Sequence, residues 1–295
     1  SAVVIIAGFV TMGVHKGNGG DALNYSLEFK GGTSTSVEFN EDMSIEELDE
    51  KVVPIIEEIS KDANVQTQKV QGSNQVIFKS ATLDVSQREE LNSRLEEEFG
   101  VDPEKITAET ISSTISSEMR TGAVSAVVVS TVLMLLYVWF RFKDVRFGAS
   151  SVAALVHDVL VVLAFYAAAR VSVGNTFIAC MLTIVGYSIN ATIVIFDRIR
   201  ENMTSYKTKE ELATIVNRSI SQTLSRSIFT SLTTFIMVAV LYILGVSSIK
   251  EFALPLMVGI ACGTYSSICL ASAFWYLLRT RVGGKKAEKN KKAAK

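Results

Sequence analysis

Four polar side chains within apolar segments are the residues of this sequence that could do chemistry inside a membrane. His157 and Asp158 are adjacent in one apolar run, Asn190 lies in a second, and Arg226 opens a third. Polar and ionisable groups are costly in hydrocarbon, so each of them marks a candidate functional site. A histidine and a partly desolvated carboxylate can change protonation near neutral pH, which suits an ion relay.

The same residues also fit a purely structural interpretation. Polar side chains on neighbouring membrane helices can hydrogen-bond one another and hold the helices together, with Arg226 extending to the interface. Because adjacent residues of a helix point about 100° apart, we expect one of His157 and Asp158 to face a polar cavity and the other a neighbouring helix. The residues alone leave both interpretations open.

Other chemistry has no signature in this sequence. We find no phosphate-binding loop, no metal-ligand spacing and no nucleophile motif, so we expect no enzyme activity, no catalytic residue, no metal, no cofactor and no nucleic-acid partner. Cys180, Cys262 and Cys269 lie in apolar runs, where we expect them to be packing residues. Any work must therefore draw on an ion gradient or on a partner.

The composition indicates two environments. The 295 residues are 48% hydrophobic with a mean hydropathy of +0.32, too apolar for an ordinary soluble protein and too charged for one wholly in lipid. Residues 15–118 hold 22 acidic and 9 basic side chains, which leaves 8 acidic and 20 basic for the remainder. We expect these two parts to face different surroundings.

Apolar segments predict about six transmembrane helices, since most reach the ~20 residues that cross a bilayer. They cover residues 2–14, 122–140, 149–169, 174–196, 225–245 and 252–278. The first is short and lacks a basic flank, so we expect a truncated helix, the alternative being a separate interfacial segment. The predicted domains are residues 1–14, 15–118, 119–278 and a basic cytoplasmic tail, 279–295.

Basic connections predict the orientation. Residues 141–146, 197–224 and 279–295 are rich in lysine and arginine, which favours the cytoplasmic side. Both chain ends are then inside, and the acidic domain is extracytoplasmic. Within residues 197–224, Arg198 precedes Glu201 by three positions, as in a charge-paired helix along that face. The other polar members of this charged motif are Asp197, Arg200 and Asn202.

The acidic domain is predicted to be an α+β ferredoxin-like unit. Strands are expected near residues 35–39, 65–70, 75–79 and 105–111, with helices from a capping box at Ser44 to Ile59 and from Ser86 to Phe99. The order βαββαβ predicts a sheet covered on one face by two helices, with a face or edge left for a partner or an unfolded peptide. We expect Gly31 and Gly32 to form a turn.

Five segments resemble the SecF family of protein-export membrane proteins, including the SecF half of fused SecDF proteins. They are LEFKGGT (27–33), ALVHD (154–158), GYSIN (186–190), FDRIREN (196–202) and NRSISQTLSRS (217–227). The first contains the outer-domain motif Gly31, Gly32 and Thr33.

The resemblance implies half of an RND-like unit in the bacterial cytoplasmic membrane. Such a subunit uses the proton motive force, or sodium in some members, to assist unfolded preprotein through SecYEG. The implied partners are SecD or a fused SecD half, SecYEG, YidC and YajC.

The resemblance also places a relay carboxylate directly after the asparagine of the fourth span, where this sequence has Ala191. Family members pair that carboxylate with an arginine of the fifth span, here Arg226, and with an aspartate of SecD. Alanine binds no proton and forms no charge pair. Three explanations of Ala191 are open. It is an engineered substitution, which we favour, or a natural variant that relies on Asp158 or the SecD aspartate. In the third explanation, coupling to the ion gradient is lost.

Two other functions stay open. A scaffold subunit would stabilise SecD and SecYEG without moving ions, and Ala191 favours it. Half of an RND-type lipid or drug exporter is the third candidate. Dependence on the ion gradient distinguishes the gradient-driven export subunit from the scaffold subunit. The identity of the substrate distinguishes both of them from the exporter.

Overall fold

The computed structural model describes residues 1–17, 20–63, 65–70, 73–142, 144–205 and 211–281, without the side chains of residues 139, 205, 247 and 248. Part of the predicted turn at 72–74, Lys143 of the basic 141–146 stretch, part of the 197–224 stretch and most of the predicted basic tail lie outside these residues. The chain divides into two compact units. One comprises Ser1–Asn24 with Ser125–Lys295, and the other Tyr25–Val124.

Helix α1, Ala2–Gly17, is apolar but only 16 residues long. It packs closely on a later helix, because a Cβ added at Gly8 would collide with Ala164. Hydrogen bonds add to this contact where the chain leaves α1. The Asn24 side chain donates to the Arg170 carbonyl at 2.9 Å, and the Val173 N–H donates to the Asn24 carbonyl at 2.7 Å.

The Tyr25–Val124 unit contains a four-stranded antiparallel sheet and short helices. In chain order its elements are α2 Leu27–Lys30, β1 Gly32–Glu38, α3 Ile45–Lys51, α4 Val53–Ser60, β2 Gln66–Lys69, β3 Gln75–Ser80, α5 Val85–Phe99 and β4 Ile106–Ile111. The strand order is β2-β3-β1-β4, with Val37 of β1 opposite Val76 of β3 and Ile106 of β4. These apolar residues join Leu48, Ile56, Phe78, Leu91 and Leu95 in one buried core.

The first helical region of this unit differs from its prediction. A single helix was expected from Ser44 to Ile59, whereas the structure has α3 and α4, separated at Val52. Pro54 lies in the first turn of α4. Because proline has no N–H to donate to the preceding turn, the chain ends one helix and starts another there.

Two capping boxes begin helices of this unit. The predicted one at Ser44 is confirmed: the Glu47 N–H donates to Ser44 Oγ at 3.2 Å, and the Ser44 N–H donates to the Glu47 carboxylate at 3.0 Å. Asp84 and Gln87 form a second, unpredicted box at α5. Backbone N–H donors lower the pKa of Glu47 and of Asp84, so the stabilisation these carboxylates provide is lost as pH falls through their lowered pKa values.

Replacing Gly32 by alanine is expected to destabilise the sheet by about 3 kcal/mol. Gly32 has φ +132°, a conformation that disfavours side chains, and a Cβ there would collide with the carbonyl oxygen of Ser80 on β3. Hydrogen–deuterium exchange of β1 and β3 in the full chain measures the effect. Gly100→Ala is the control, since Gly100 also has positive φ but its nearest neighbour, Asn40 Nδ2, is 4.0 Å away. Equal exchange in both variants would contradict the collision.

Long apolar helices make up most of the unit of Ser1–Asn24 with Ser125–Lys295, although the first of them begins within the last residues of the other unit. They are α6 Ser113–Phe142, α7 Val145–Ala169, α8 Asn175–Ser205, α9 Leu212–Leu244 and α10 Ser247–Tyr265, which continues through a π-helical turn, Ser266–Ala271, to residue 281. Within the described ranges, these five helices are long and apolar enough to cross a membrane, and α1 is shorter. The count of about six spans is therefore supported for five of them.

Several helices extend well beyond the predicted apolar spans. α6 begins at Ser113 rather than 122, α8 ends at Ser205 rather than 196, and α9 begins at Leu212 rather than 225. Apolarity measures the part of a helix suited to hydrocarbon, whereas backbone hydrogen bonding continues through polar residues outside it. The charged 197–202 motif is thus the end of α8 itself.

Two glycines spaced four residues apart allow α10 to approach α8 closely. A Cβ at Gly259 would collide with Ile184, and one at Gly263 would lie 3.2 Å from the Ser188 Cβ. Small residues at a helix crossing bring backbones together and let short polar side chains reach across. This close approach brings Ser188 towards the polar residues of α10.

Candidate functional site

Asp158 is a buried carboxylate within the helix bundle, with 1% of its surface exposed. Its Oδ2 accepts two hydroxyl hydrogen bonds, from Ser188 of α8 at 2.6 Å and from Ser266 of the π-helical turn at 2.7 Å. An unpaired carboxylate would be costly at such a depth, and these donors offset part of that cost. One side chain of α7 thus joins three helical segments.

The other carboxylate oxygen faces a histidine and a cysteine. His157 Nδ1 lies 3.0 Å from Asp158 Oδ1, and the Cys262 thiol donates to the same oxygen at 3.4 Å. Cys262 Sγ and His157 Nδ1 are 3.9 Å apart. The expectation that Cys262 is only a packing residue is therefore wrong, because its thiol belongs to this polar cluster.

His157 and Asp158 do not face separate surroundings as their helical positions suggested. Their Cβ atoms leave α7 in different directions, yet the imidazole turns until Nδ1 meets the carboxylate. A buried carboxylate attracts nearby donors, and the long histidine side chain can bend to reach it. The two residues act as one polar group.

The spacing of polar residues on α10 explains how the remaining partners of Asp158 come within hydrogen-bonding distance. Cys262 and Ser266 are four residues apart and share a helix face, which lies towards Asp158. The next residue, Ser267, donates to the Ser188 carbonyl at 3.1 Å and hydrogen-bonds the Thr192 hydroxyl at 2.9 Å. These bonds lie in the π-helical turn, a distortion that is frequent at functional sites.

Asn190, Ala191 and Arg226 line a different cavity, of about 90 Å³. Its remaining lining residues are Tyr187, Val194, Ser227, Thr230 and Ser231. His157 and Asp158 do not line it, so the predicted relay residues form two groups rather than one. Arg226 is exposed, and no ion pair to it occurs among the described residues. The Thr264 hydroxyl of α10 donates to Ser231 at 2.7 Å beside this cavity.

The charged end of α8 connects neighbouring helices. Asp197 pairs with Arg141 of α6 at 2.6 Å, and Arg198 pairs with Glu201 at 2.7 Å, as their spacing predicted. Arg200 donates to the Arg141 carbonyl at 3.4 Å. Asn202 is buried and donates to Ser219 and Gln222 of α9 at 2.8 and 2.9 Å. This motif therefore holds α6, α8 and α9 together at one end.

The Gly31, Gly32 and Thr33 motif has a structural role at the start of β1. Gly31 ends α2 with φ +77°, and the Thr33 hydroxyl accepts from the Leu83 N–H at 2.8 Å and meets the Thr110 hydroxyl at 3.0 Å. Thr33 is fully buried. The motif ties β1 to β4 and to the segment before α5.

Five helices of the described ranges that are long and apolar enough to cross a membrane, with a buried carboxylate among them, define a polytopic membrane protein. Residues 91–281 match the family model described as protein export membrane protein SecD/SecF, C-terminal. The chain belongs to this SecD/SecF family of protein-export membrane proteins.

Known relatives are similar in sequence to this chain over most of its length. The protein translocase subunit SecF of Sebaldella termitidis is 38% identical over 91% of this chain and 86% of the relative. Protein translocase subunit SecDF of Thermus thermophilus is also 38% identical, over 90% of this chain and 36% of the relative. The crystal structure of the Thermus SecDF superimposes with a TM-score of 0.80 at 36% identity, covering 95% of this chain and 37% of that one. This chain thus spans somewhat over a third of the fused SecDF proteins.

Sequence reasoning identified Asp158 and missed its partners on other helices. Ser188 lies in the GYSIN segment, two residues before the predicted relay residue Asn190. Cys262 and Ser266 carried a usable signal, since polar residues four apart on an apolar helix share one face. Nothing in the sequence indicated which helix that face would contact.

Proposed function

We propose that this chain is a SecF-type accessory subunit of the Sec translocon that uses the proton or sodium gradient to assist preprotein export through SecYEG. Membership of the protein-export family and the names of its relatives support the Sec pathway. The gradient coupling rests on the polar groups of the helix bundle. No covalent chemistry is assigned to the chain.

The observation that carries the coupling is the environment of Asp158. The carboxylate is held by donors from α7, α8 and the π-helical turn after α10, so gaining or losing a proton changes the hydrogen bonds of all three. One charge moving through 100 mV supplies about 2.3 kcal/mol, which biases a two-state rearrangement roughly fifty-fold. That bias is large enough to hinder an exported chain from sliding back.

Arg226 supports a membrane-embedded partner. An exposed arginine on a membrane-spanning helix is costly in lipid unless another chain offers it a polar group. We propose that SecD, or a fused SecD half, covers this surface and contributes an aspartate to Arg226. YidC and YajC are proposed as further partners in the same assembly.

We propose that the chain is an integral protein of the bacterial cytoplasmic membrane and that it crosses this membrane about six times. α1 is proposed as the first crossing, which its close packing on α7 at Gly8 supports. The acidic 15–118 domain is proposed to be extracytoplasmic, and the basic connections cytoplasmic. We further propose that its sheet unit is ferredoxin-like, which the β2-β3-β1-β4 strand order supports, and that it meets the emerging preprotein.

The test is preprotein translocation into vesicles that contain SecYEG, SecD and this chain. We expect an imposed proton or sodium gradient to increase translocation, and we expect the increase to vanish when this chain is omitted. Collapsing the gradient with an ionophore should return the rate to the level without a gradient. An identical rate with and without this chain, under either gradient, would overturn the proposal.

A scaffold subunit is the second candidate, and Ala191 favours it. The cavity beside Arg226 has no carboxylate at the position where the family resemblance places one. A scaffold would raise SecD and SecYEG stability but leave translocation insensitive to the gradient. An RND-type exporter is not proposed, because the relatives are named as protein translocase subunits.

A further inference from the structure

We propose that His157, Asp158 and Cys262 form a binding site for a soft divalent cation, with Zn²⁺ as the best fit. Imidazole nitrogen, carboxylate oxygen and thiolate sulfur are the three donor types that zinc takes from proteins. The sequence separates the cysteine from the other two by more than a hundred residues, so no ligand spacing is visible along the chain. The fold brings the three donor atoms within 4.8 Å of one another.

The distances between these atoms suit a metal ion. The Nδ1–Oδ1, Oδ1–Sγ and Sγ–Nδ1 separations are 3.0, 3.4 and 3.9 Å. A triangle with these sides has a point about 2.0 Å from all three corners, and a cation slightly out of that plane reaches the ~2.0–2.3 Å of zinc bonds. Three protein ligands leave one tetrahedral position for water or another donor.

Charge balance favours the same cation in this buried place. Binding requires the Cys262 thiol to lose its proton and His157 to coordinate through Nδ1 with its proton on Nε2. One thiolate, one carboxylate and a neutral imidazole then balance the two positive charges of the metal. A neutral complex is better tolerated in a low-dielectric helix bundle than an isolated charge.

Outer hydrogen bonds already orient the carboxylate for this role. Ser188 and Ser266 both donate to Asp158 Oδ2, which leaves Oδ1 directed at the histidine and cysteine. Such outer partners are typical of metal sites, where they fix the direction of the ligand. His157 is also largely buried, with 12% of its side chain exposed.

Occupation of the site would link α7 to α10. Cys262 lies on α10, and the other two ligands lie on α7, so the cation bridges two helices that otherwise meet through weaker hydrogen bonds. It would also compete with protons for Asp158. Zinc is therefore expected to slow any process that requires α7 and α10 to separate, whether or not Asp158 takes part in coupling to an ion gradient.

Cobalt titration of the full chain in detergent tests the proposal. For this experiment the chain is purified through an added affinity tag that contains no histidine or cysteine, and Cys180→Ser with Cys269→Ser leaves Cys262 as the only thiol. We expect one equivalent of Co²⁺ to give a sulfur-to-cobalt charge-transfer band that Zn²⁺ removes. Cys262→Ser should eliminate the band, and Ser188→Ala should weaken binding about 10–100-fold. His15, the other histidine, provides the control His15→Gln, which should bind normally.

Alkylation of Cys262 supplies a second readout that needs no substitution in the cluster. In the single-thiol chain, Zn²⁺ at micromolar concentration should slow maleimide labelling at least tenfold, whereas Mg²⁺ should not. Absence of both the cobalt band and the protection from alkylation would overturn the site. A cobalt band that survives Cys262→Ser would also overturn it.

Discussion

Asp158→Asn is expected to remove the gradient-stimulated part of preprotein translocation, lowering it at least tenfold, while the gradient-independent rate persists. Asparagine matches aspartate in size and its carbonyl can still accept from Ser188 or Ser266, so the packing of α7, α8 and α10 should survive. What disappears is the ability to gain and lose a proton. Translocation into SecYEG and SecD vesicles, with and without an imposed gradient, measures the change.

Asp197→Asn is the matched control for this substitution. Asp197 is also a carboxylate of the helix bundle, but it is partly exposed and pairs with Arg141 at the end of α8. Losing a partly exposed ion pair costs about 1 kcal/mol or less, so this variant should keep its response to the gradient. Full gradient stimulation in Asp158→Asn would exclude Asp158 from the relay. Loss in both variants would point to damage to the assembly instead.

Ala191→Asp is expected to raise gradient-stimulated translocation several-fold. Ala191 shares a cavity with Arg226 and Asn190, so an aspartate there would meet a guanidinium that has no ion-pair partner among the described residues. Pairing lowers the cost of both charges in the membrane and supplies a protonatable group. The readout is the ratio of translocation with and without the gradient.

Ala191→Asn separates charge from size in this experiment. It adds a side chain of the same shape that binds no proton, so any improvement it causes reflects packing or hydrogen bonding alone. An increase confined to Ala191→Asp assigns the relay to position 191. Equal responses of the parent chain, Ala191→Asn and Ala191→Asp would contradict that assignment and leave Asp158 as the coupling group.

Local signals in the sequence predicted local structure well. Ser44 and Glu47 form the expected capping box, and Gly100 ends α5 in the left-handed conformation. These features depend on residues within four positions of one another, so the sequence contains all the information they need. The break at Val52 departs from the predicted single helix because Pro54 has no N–H for the preceding turn, whereas the helical pattern continues through it.

The candidate site depends on contacts between residues that are far apart in the sequence. Asp158 was recognisable because a carboxylate in an apolar run is costly. Its partners Ser188 and Cys262 are 30 and 104 positions away, and which helix faces meet is decided by packing such as the contact of Gly259 with Ile184. Asn190 and Arg226 line a cavity that Asp158 does not reach, because lying in an apolar run does not specify which face of a helix a polar residue occupies.

The exposed arginine of α9 has a consequence for how long the chain survives in a cell. A copy inserted without the proposed partner would leave Arg226 unpaired near the start of the apolar part of α9, at a cost below the ~2.5–3.5 kcal/mol of a charge at mid-membrane. We expect that penalty to weaken the insertion of α9 and to make the unassembled chain a better target for membrane quality control. Degradation of orphan copies would then match the amount of this subunit to the amount of its partner, without any regulation of its synthesis.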